Sequence, residues 1–126
     1  MSNSRKIVVV DDEPVVLQLL AQYLGLKGFE VLLAQNGKEA FEVLQKSPAV
    51  DLVLTDINMP GSGGLELMEM MKQSKHKDIP VILMTGYGDT LENSKSLGAT
   101  ILRKPFRRRE LLELINLILS PSTPPV

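Results

Sequence analysis

The chain contains no cysteine and no tryptophan. Without thiols it can form no disulfide, no thiolate zinc site and no cysteine nucleophile, a composition that fits a reducing compartment. The single histidine, His76, sits in the polar stretch Lys75 to Asp78 with no second histidine at ligand or dyad spacing, so it reads as a solvated loop residue. No apolar run approaches the roughly 18–20 residues that span a bilayer, and Met1-Ser2-Asn3-Ser4 lacks the apolar stretch of a signal peptide. A cytoplasmic location with no membrane partner is therefore expected. A net charge of -1 gives no global reason to bind nucleic acid directly, so only a local basic patch could do so.

What is present begins with alternation. At 126 residues the chain has room for one core. Five short aliphatic runs, Ile7 to Val10, Glu30 to Ala34, Leu52 to Thr55, Val81 to Met84 and Thr100 to Leu102, read as strands. Between them helical spacing appears at roughly Pro14 to Leu26, Lys38 to Gln45, Leu65 to Gln73 and Thr90 to Leu97, with a fifth helix after Phe106. The boundaries are marked by Pro14 in a first turn, by Asn36 with Glu39 as a capping box, and by Gly28 and Gly98 at helix ends. This (βα)₅ order calls for right-handed crossovers and a parallel sheet covered on both faces, which suits continuously apolar strands. Residues 1–119 form the expected domain; residues 120–126, with three prolines in seven, read as a tail or linker stub.

In open parallel sheets ligands bind beyond the carboxyl ends of the strands. There this sequence places Asp11 and Asp12, then Asp56, then Thr85, then Arg103, Lys104 and Pro105. Three neighbouring carboxylates repel one another and must protonate or recruit a cation, and hard oxygens without His or Cys suit Mg²⁺ best. A partly hydrated Mg²⁺ leaves a carboxylate free to attack phosphorus, with Asp56 as the candidate nucleophile and Lys104 and Thr85 as donors to the phosphoryl oxygens.

Four segments now carry a family resemblance: Asp11-Asp12-Glu13-Pro14, Thr55-Asp56-Ile57-Asn58-Met59-Pro60-Gly61, Met84-Thr85-Gly86-Tyr87 and Lys104-Pro105-Phe106. In order and spacing the chain resembles the response-regulator receiver domains of two-component phosphorelays, from Lys6 to about Leu119. The resemblance implies a flavodoxin-like three-layer α/β sandwich with strand order 2-1-3-4-5. It implies Mg²⁺ held by Asp11, Asp12, Asp56 and the Asn58 carbonyl, with phosphorylation on Asp56. Lys104 would bind the phosphoryl group, Thr85 would move toward it, and Pro105 would follow a cis peptide bond. Gly86 would leave the acceptor accessible, and Tyr87 and Asn58 stand where the family tunes dephosphorylation. Ile101 is a departure, standing where receivers often carry an aromatic that swings inward. The implied protein is a phosphoacceptor switch that promotes its own phosphorylation and dephosphorylation. Its partners would be a sensor histidine kinase or histidine phosphotransfer protein, docking near the first helix, and a downstream effector. A homodimer through the face from the fourth helix to the fifth is also allowed.

Each residue has a plainer reading. Asp12 could be an N-cap, Asp56 a turn residue, Lys104 a solvated lysine and Thr85 a strand-end hydroxyl. Arg107, Arg108 and Arg109 at a helix start oppose its dipole, which leaves a partner surface open. The helix they begin has more apolar positions than one buried stripe needs, and Asp89 to Ser96 offers only Leu91 as a large anchor. A haloacid-dehalogenase-like phosphatase would need its Asp-x-Asp after the first strand, where Asp11-Asp12 does not fit. A scaffold that has lost phosphorylation would lack one of the carboxylates or the lysine, and all are present. A dinucleotide fold would need Gly-x-Gly-x-x-Gly where this chain has Asp11-Asp12-Glu13-Pro14.

Overall fold

Strands buried on both faces can be apolar at every position, and β3 (Leu52–Asp56) and β4 (Val81–Thr85) are buried throughout. A computed structural model of the chain describes residues 4–86 and 98–120. With β1 (Lys6–Val10), β2 (Glu30–Ala34) and β5 (Thr100–Arg103) these strands form one parallel sheet in the order β2-β1-β3-β4-β5. That is the flavodoxin-like order expected. The helices among the described residues are α1 (Pro14–Leu26), α2 (Gly37–Lys46), α3 (Gly64–Lys72) and α4 (Arg108–Leu119). The expected helix at Thr90 to Leu97, the anchor Leu91, Tyr87 and the tail after Ser120 lie outside the described residues.

Strand side chains alternate between faces, and this alternation splits the core in two. Ile7, Val9, Leu52, Leu54, Ile82 and Met84 meet Leu17, Leu20 and Leu24 of α1 and Leu111 and Ile115 of α4. On the opposite face Val8, Val10, Val53, Val81 and Leu83 meet Ala40 and Leu44 of α2 and Leu67, Met68 and Met71 of α3. Each such Leu or Ile contributes roughly 1.5–3 kcal/mol by burial. Truncating Leu54 or Ile115 to Ala would cost about 2–5 kcal/mol, the range for cavities in rigid cores.

The helix starts follow their local chemistry. Pro14 begins α1, where its missing N–H is not needed, and the N-cap is Glu13, so the capping role weighed for Asp12 is not filled. At α2 the Glu39 N–H donates to Asn36 Oδ1 at 2.8 Å, while the Glu39 carboxylate accepts from Gln35 N–H, one residue before the cap. Gly28 and Gly98 have the positive φ their positions suggested. At α4 the Glu110 carboxylate accepts from Arg107 N–H, and Arg108 lies over the Tyr23 ring, 5.4 Å from its centroid. Part of the arginine run is thus used within the molecule, as a cation–π contact.

The reading of His76 as a solvated loop residue is corrected. It is buried, with Nε2 2.8 Å from Gln45 Oε1 and its ring edge-on to Phe41 at 5.8 Å between centroids. The turn after α3 folds back on α2, bringing a partner 31 residues away in sequence. Its neighbours in the chain are polar, and these hid the burial. Burial, aided by the Lys75 charge, holds its pKa below the usual imidazole range.

Candidate functional site

The parallel ladder sets the site's spacing. Val10 pairs with Thr55, Asp56 with Met84, and Thr85 with Arg103, so Asp11, Asp56, Thr85 and Lys104 all emerge at one edge. Asp56 and Thr85 each close their own strand, one residue beyond the expected ends at Thr55 and Met84. They are therefore held by the sheet, not by a loop.

Three carboxylates converge as expected. Asp11, Asp12 and Asp56 each bring one oxygen within 4.8 Å of the others, with Asp11 and Asp56 buried and Asp12 exposed. One Asp11 oxygen accepts the Glu13 N–H at 2.9 Å; the other, Oδ2, is buried with no hydrogen-bond partner among the described residues. Burial raises the Asp11 pKa above the usual carboxylate range, and the Asp56 and Asp12 charges push the same way. The Glu13 N–H and the Lys104 charge oppose them. An unpartnered buried carboxylate oxygen beside two further carboxylates is costly unless a cation completes it. The donor set, all oxygen, fits a hard divalent ion, so Asp11, Asp12 and Asp56 are the residues that could hold one.

On the other side of Asp56, Lys104 Nζ lies 3.3 Å from the Asp56 Oδ1. The lysine backbone is tied to β4, the Lys104 N–H donating to the Thr85 carbonyl, and the Lys104–Pro105 peptide is cis as expected. Thr85 Oγ1 is buried without a hydrogen-bond partner among the described residues, so this hydroxyl is available to an oxygen brought into the site. Gly86 follows directly and is half-buried. Asn58 is exposed in the loop after Asp56, and Pro105 is exposed beyond Lys104. Ile101 is half-buried in β5, packed against the core beneath α2 and α3. Tyr87 is not among the described residues.

The site also needs residues that sequence reasoning passed over. A Cβ on Gly64 would stand 2.6 Å from the Asp56 carbonyl oxygen and 2.9 Å from Leu83, and one on Gly63 would stand 2.7 Å from the Ile57 carbonyl oxygen. The start of α3 thus lies directly on the backbone of Asp56 and Ile57, and Gly64 N–H donates to the Ile57 carbonyl at 3.0 Å. Gly61-Ser62-Gly63-Gly64 reads as a turn, and only Gly61 has positive φ. The other two glycines serve close approach, which a local pattern does not signal.

Comparison with known proteins agrees with this geometry. Residues 7–116 match the family model of the response regulator receiver domain. Sporulation initiation phosphotransferase F of Bacillus subtilis is 36% identical over 116 residues, covering 90% of this chain and 92% of that protein. The transcriptional regulatory protein CpxR of Escherichia coli K12 is 37% identical over 120 residues, 93% of this chain but 50% of that protein, so the chain spans about half the length of these regulators. Among solved structures, a response regulator receiver protein from Pseudomonas putida superposes with a TM-score of 0.85 at 29% identity, covering 93% of this chain and 99% of that one. Chemotaxis protein CheY4 of Vibrio cholerae gives 0.82 at 31% identity, over 92% and 99%. A family-model match over residues 7–116, with a 36%-identical relative covered over 92% of its length, means that this chain belongs to the response regulator receiver domain family.

Proposed function

We propose that Asp56 accepts a phosphoryl group from a phosphohistidine in a Mg²⁺-dependent reaction, and that the acyl phosphate switches a surface read by an effector. The observation that carries this reading is the pairing of Lys104 Nζ with Asp56 Oδ1 at 3.3 Å beside a cluster of three carboxylates. One face of Asp56 meets the Lys104 cation, and the other joins a set of carboxylate oxygens suited to a hard divalent ion.

Asp11, Asp12, Asp56 and the Asn58 carbonyl would hold Mg²⁺. When bound, the ion would neutralise the carboxylates and the phosphoryl oxygens. An Asp56 oxygen attacks phosphorus in line, the P–N bond breaks, and its electron pair leaves with the imidazole. Lys104, no longer needed by a free carboxylate, moves its charge to a phosphoryl oxygen. Thr85 Oγ1 can donate to another, and because it has no partner among the described residues this bond favours the phosphorylated state. Val15 and Leu19, 68% and 57% exposed one turn apart on α1, offer the donor protein an apolar face close to Asp11 and Asp12. A sensor histidine kinase or histidine phosphotransfer protein would supply the phosphohistidine.

Intact mass after incubation with acetyl phosphate tests the reading, with wild type and Asp56→Asn each in Mg²⁺ and in excess chelator. A hydroxylamine-labile phosphate on wild type in Mg²⁺ alone is expected. Equal labelling of Asp56→Asn would overturn the acceptor assignment, and equal labelling in chelator would overturn the metal requirement.

A further inference from the structure

Helix α2 carries none of the reacting groups, yet it begins against the loop that follows Asp56. Gly37, its first residue, donates its N–H to the Ser62 carbonyl at 2.8 Å. First-turn N–H groups have no partner within their own helix, so this donor is free to hold a neighbouring segment. The same residue has no space for a side chain. A Cβ on Gly37 would lie 2.6 Å from Ser62 Oγ, 2.8 Å from the Gly63 carbonyl oxygen and 3.2 Å from Leu67 Cβ. The far side of the loop is fixed just as closely, because Gly63 and Gly64 rest on the carbonyls of Ile57 and Asp56. Residues 57–63 are therefore held between the end of β3 and the start of α2, with glycine against backbone on both sides.

We infer that Gly37 is a positioning residue for the metal site: the first turn of α2 is a backstop that sets where the Asn58 loop stands relative to Asp11 and Asp56. This rests on the Mg²⁺-dependent function proposed above. Ser62 Oγ can rotate away from an added methyl group, but the Gly63 carbonyl cannot move without the loop. Restoring an ordinary contact there requires a separation of about 0.6 Å. Mg²⁺ demands a near-ideal octahedron, and supporting residues hold such sites to within roughly 0.5 Å, so the displacement falls where the ion is least tolerant. Coupling of this kind is reciprocal, so bound Mg²⁺ must in turn tighten the contact between Gly37 and Ser62.

Calorimetric titration with Mg²⁺ of wild type, Gly37→Ala and Leu44→Val tests the inference. Leu44 is buried at the far end of the same helix, beside the His76 cavity, so its truncation lowers stability away from the loop. Gly37→Ala is expected to raise the Mg²⁺ Kd about tenfold, and Leu44→Val to leave it within about twofold. In wild type, saturating Mg²⁺ is expected to slow hydrogen exchange of the Gly37 amide and leave that of Gly25 unchanged. An unchanged Kd in Gly37→Ala, or an equal rise in both variants, overturns the inference. Should Gly37→Ala not fold, a Gly37 amide indifferent to Mg²⁺ does so. Wild type that takes up no Mg²⁺ would instead sink the metal-dependent function, and the inference with it.

Discussion

Replacing Asp11 with Asn should stabilise the metal-free protein and remove its response to Mg²⁺. The substitution keeps an oxygen for the Glu13 N–H and exchanges the unpartnered Oδ2 for an N–H₂ beside two carboxylates. Two unit charges 4.8 Å apart, the outer limit of the cluster, repel by roughly 3 kcal/mol at an effective dielectric near 20. Lys104 cancels part of this repulsion, and the buried orphan oxygen adds a desolvation cost of similar size, leaving about 1–3 kcal/mol to be gained. For a chain of this length that is about 3–10 °C in Tm. In Mg²⁺ at about 100 times its Kd, wild type should regain roughly 2.7 kcal/mol and Asp11→Asn almost none, so the order of stability narrows or reverses. The pH dependence has a definite sign. Because the folded pKa of Asp11 is raised, its penalty is absent at pH below the ordinary aspartate range and grows as pH rises to the folded value. The advantage of Asn should therefore vanish in acid. Thermal denaturation of both proteins in chelator and in Mg²⁺ decides the matter. Asp11→Asn no more stable than wild type in chelator, or equally stabilised by Mg²⁺, would refute the electrostatic account.

Lys104→Met should slow phosphorylation by acetyl phosphate about 100-fold, as loss of a transition-state donor does, while Mg²⁺ Kd stays level or falls because a competing cation is gone; intact-mass time courses and calorimetry read the two effects separately. Gly64→Ala places a methyl group against the Asp56 carbonyl and should cost about 1–3 kcal/mol in urea denaturation, with slower phosphorylation at equal folded fraction. The depressed folded pKa of His76 makes its stabilisation complete above about pH 6.5, to be lost as pH falls through the folded value, because the unfolded chain binds the proton first. Denaturant midpoints at about pH 7.5 and 5.5 should therefore fall more for wild type than for His76→Gln.

The strands were legible because burial on both faces leaves continuous apolar runs, α1 could be placed by Pro14 and Gly28, and the order of the strands in the sheet followed from the family resemblance of the motifs. The candidate site was legible because its residues lie at strand ends: Asp11, Asp56, Thr85 and Lys104 each close or follow an aliphatic run, and the sheet brings such ends together. Long-range fit was not legible. His76 is buried by Gln45 and Phe41, and Gly37, Gly63 and Gly64 are required by backbone that lies elsewhere in the chain. Periodicity reports which face a residue presents, whereas these roles depend on what arrives at that face. Ile101 illustrates the difference: its departure from an aromatic was visible, but its packing against the core under α2 and α3 was not.

The pairing of Val10 with Thr55, Asp56 with Met84 and Thr85 with Arg103 bears on what the protein must ask of its donor. A centre assembled from strand ends is preformed once the sheet folds, and little conformational freedom remains to be surrendered when a reactant arrives. A donor that brings only a phosphoryl group, with no protein surface to organise the site, should therefore react. Any partner that does better would do so by residence and orientation, since the strand ends already hold Asp56, Thr85 and Lys104 together in the native state.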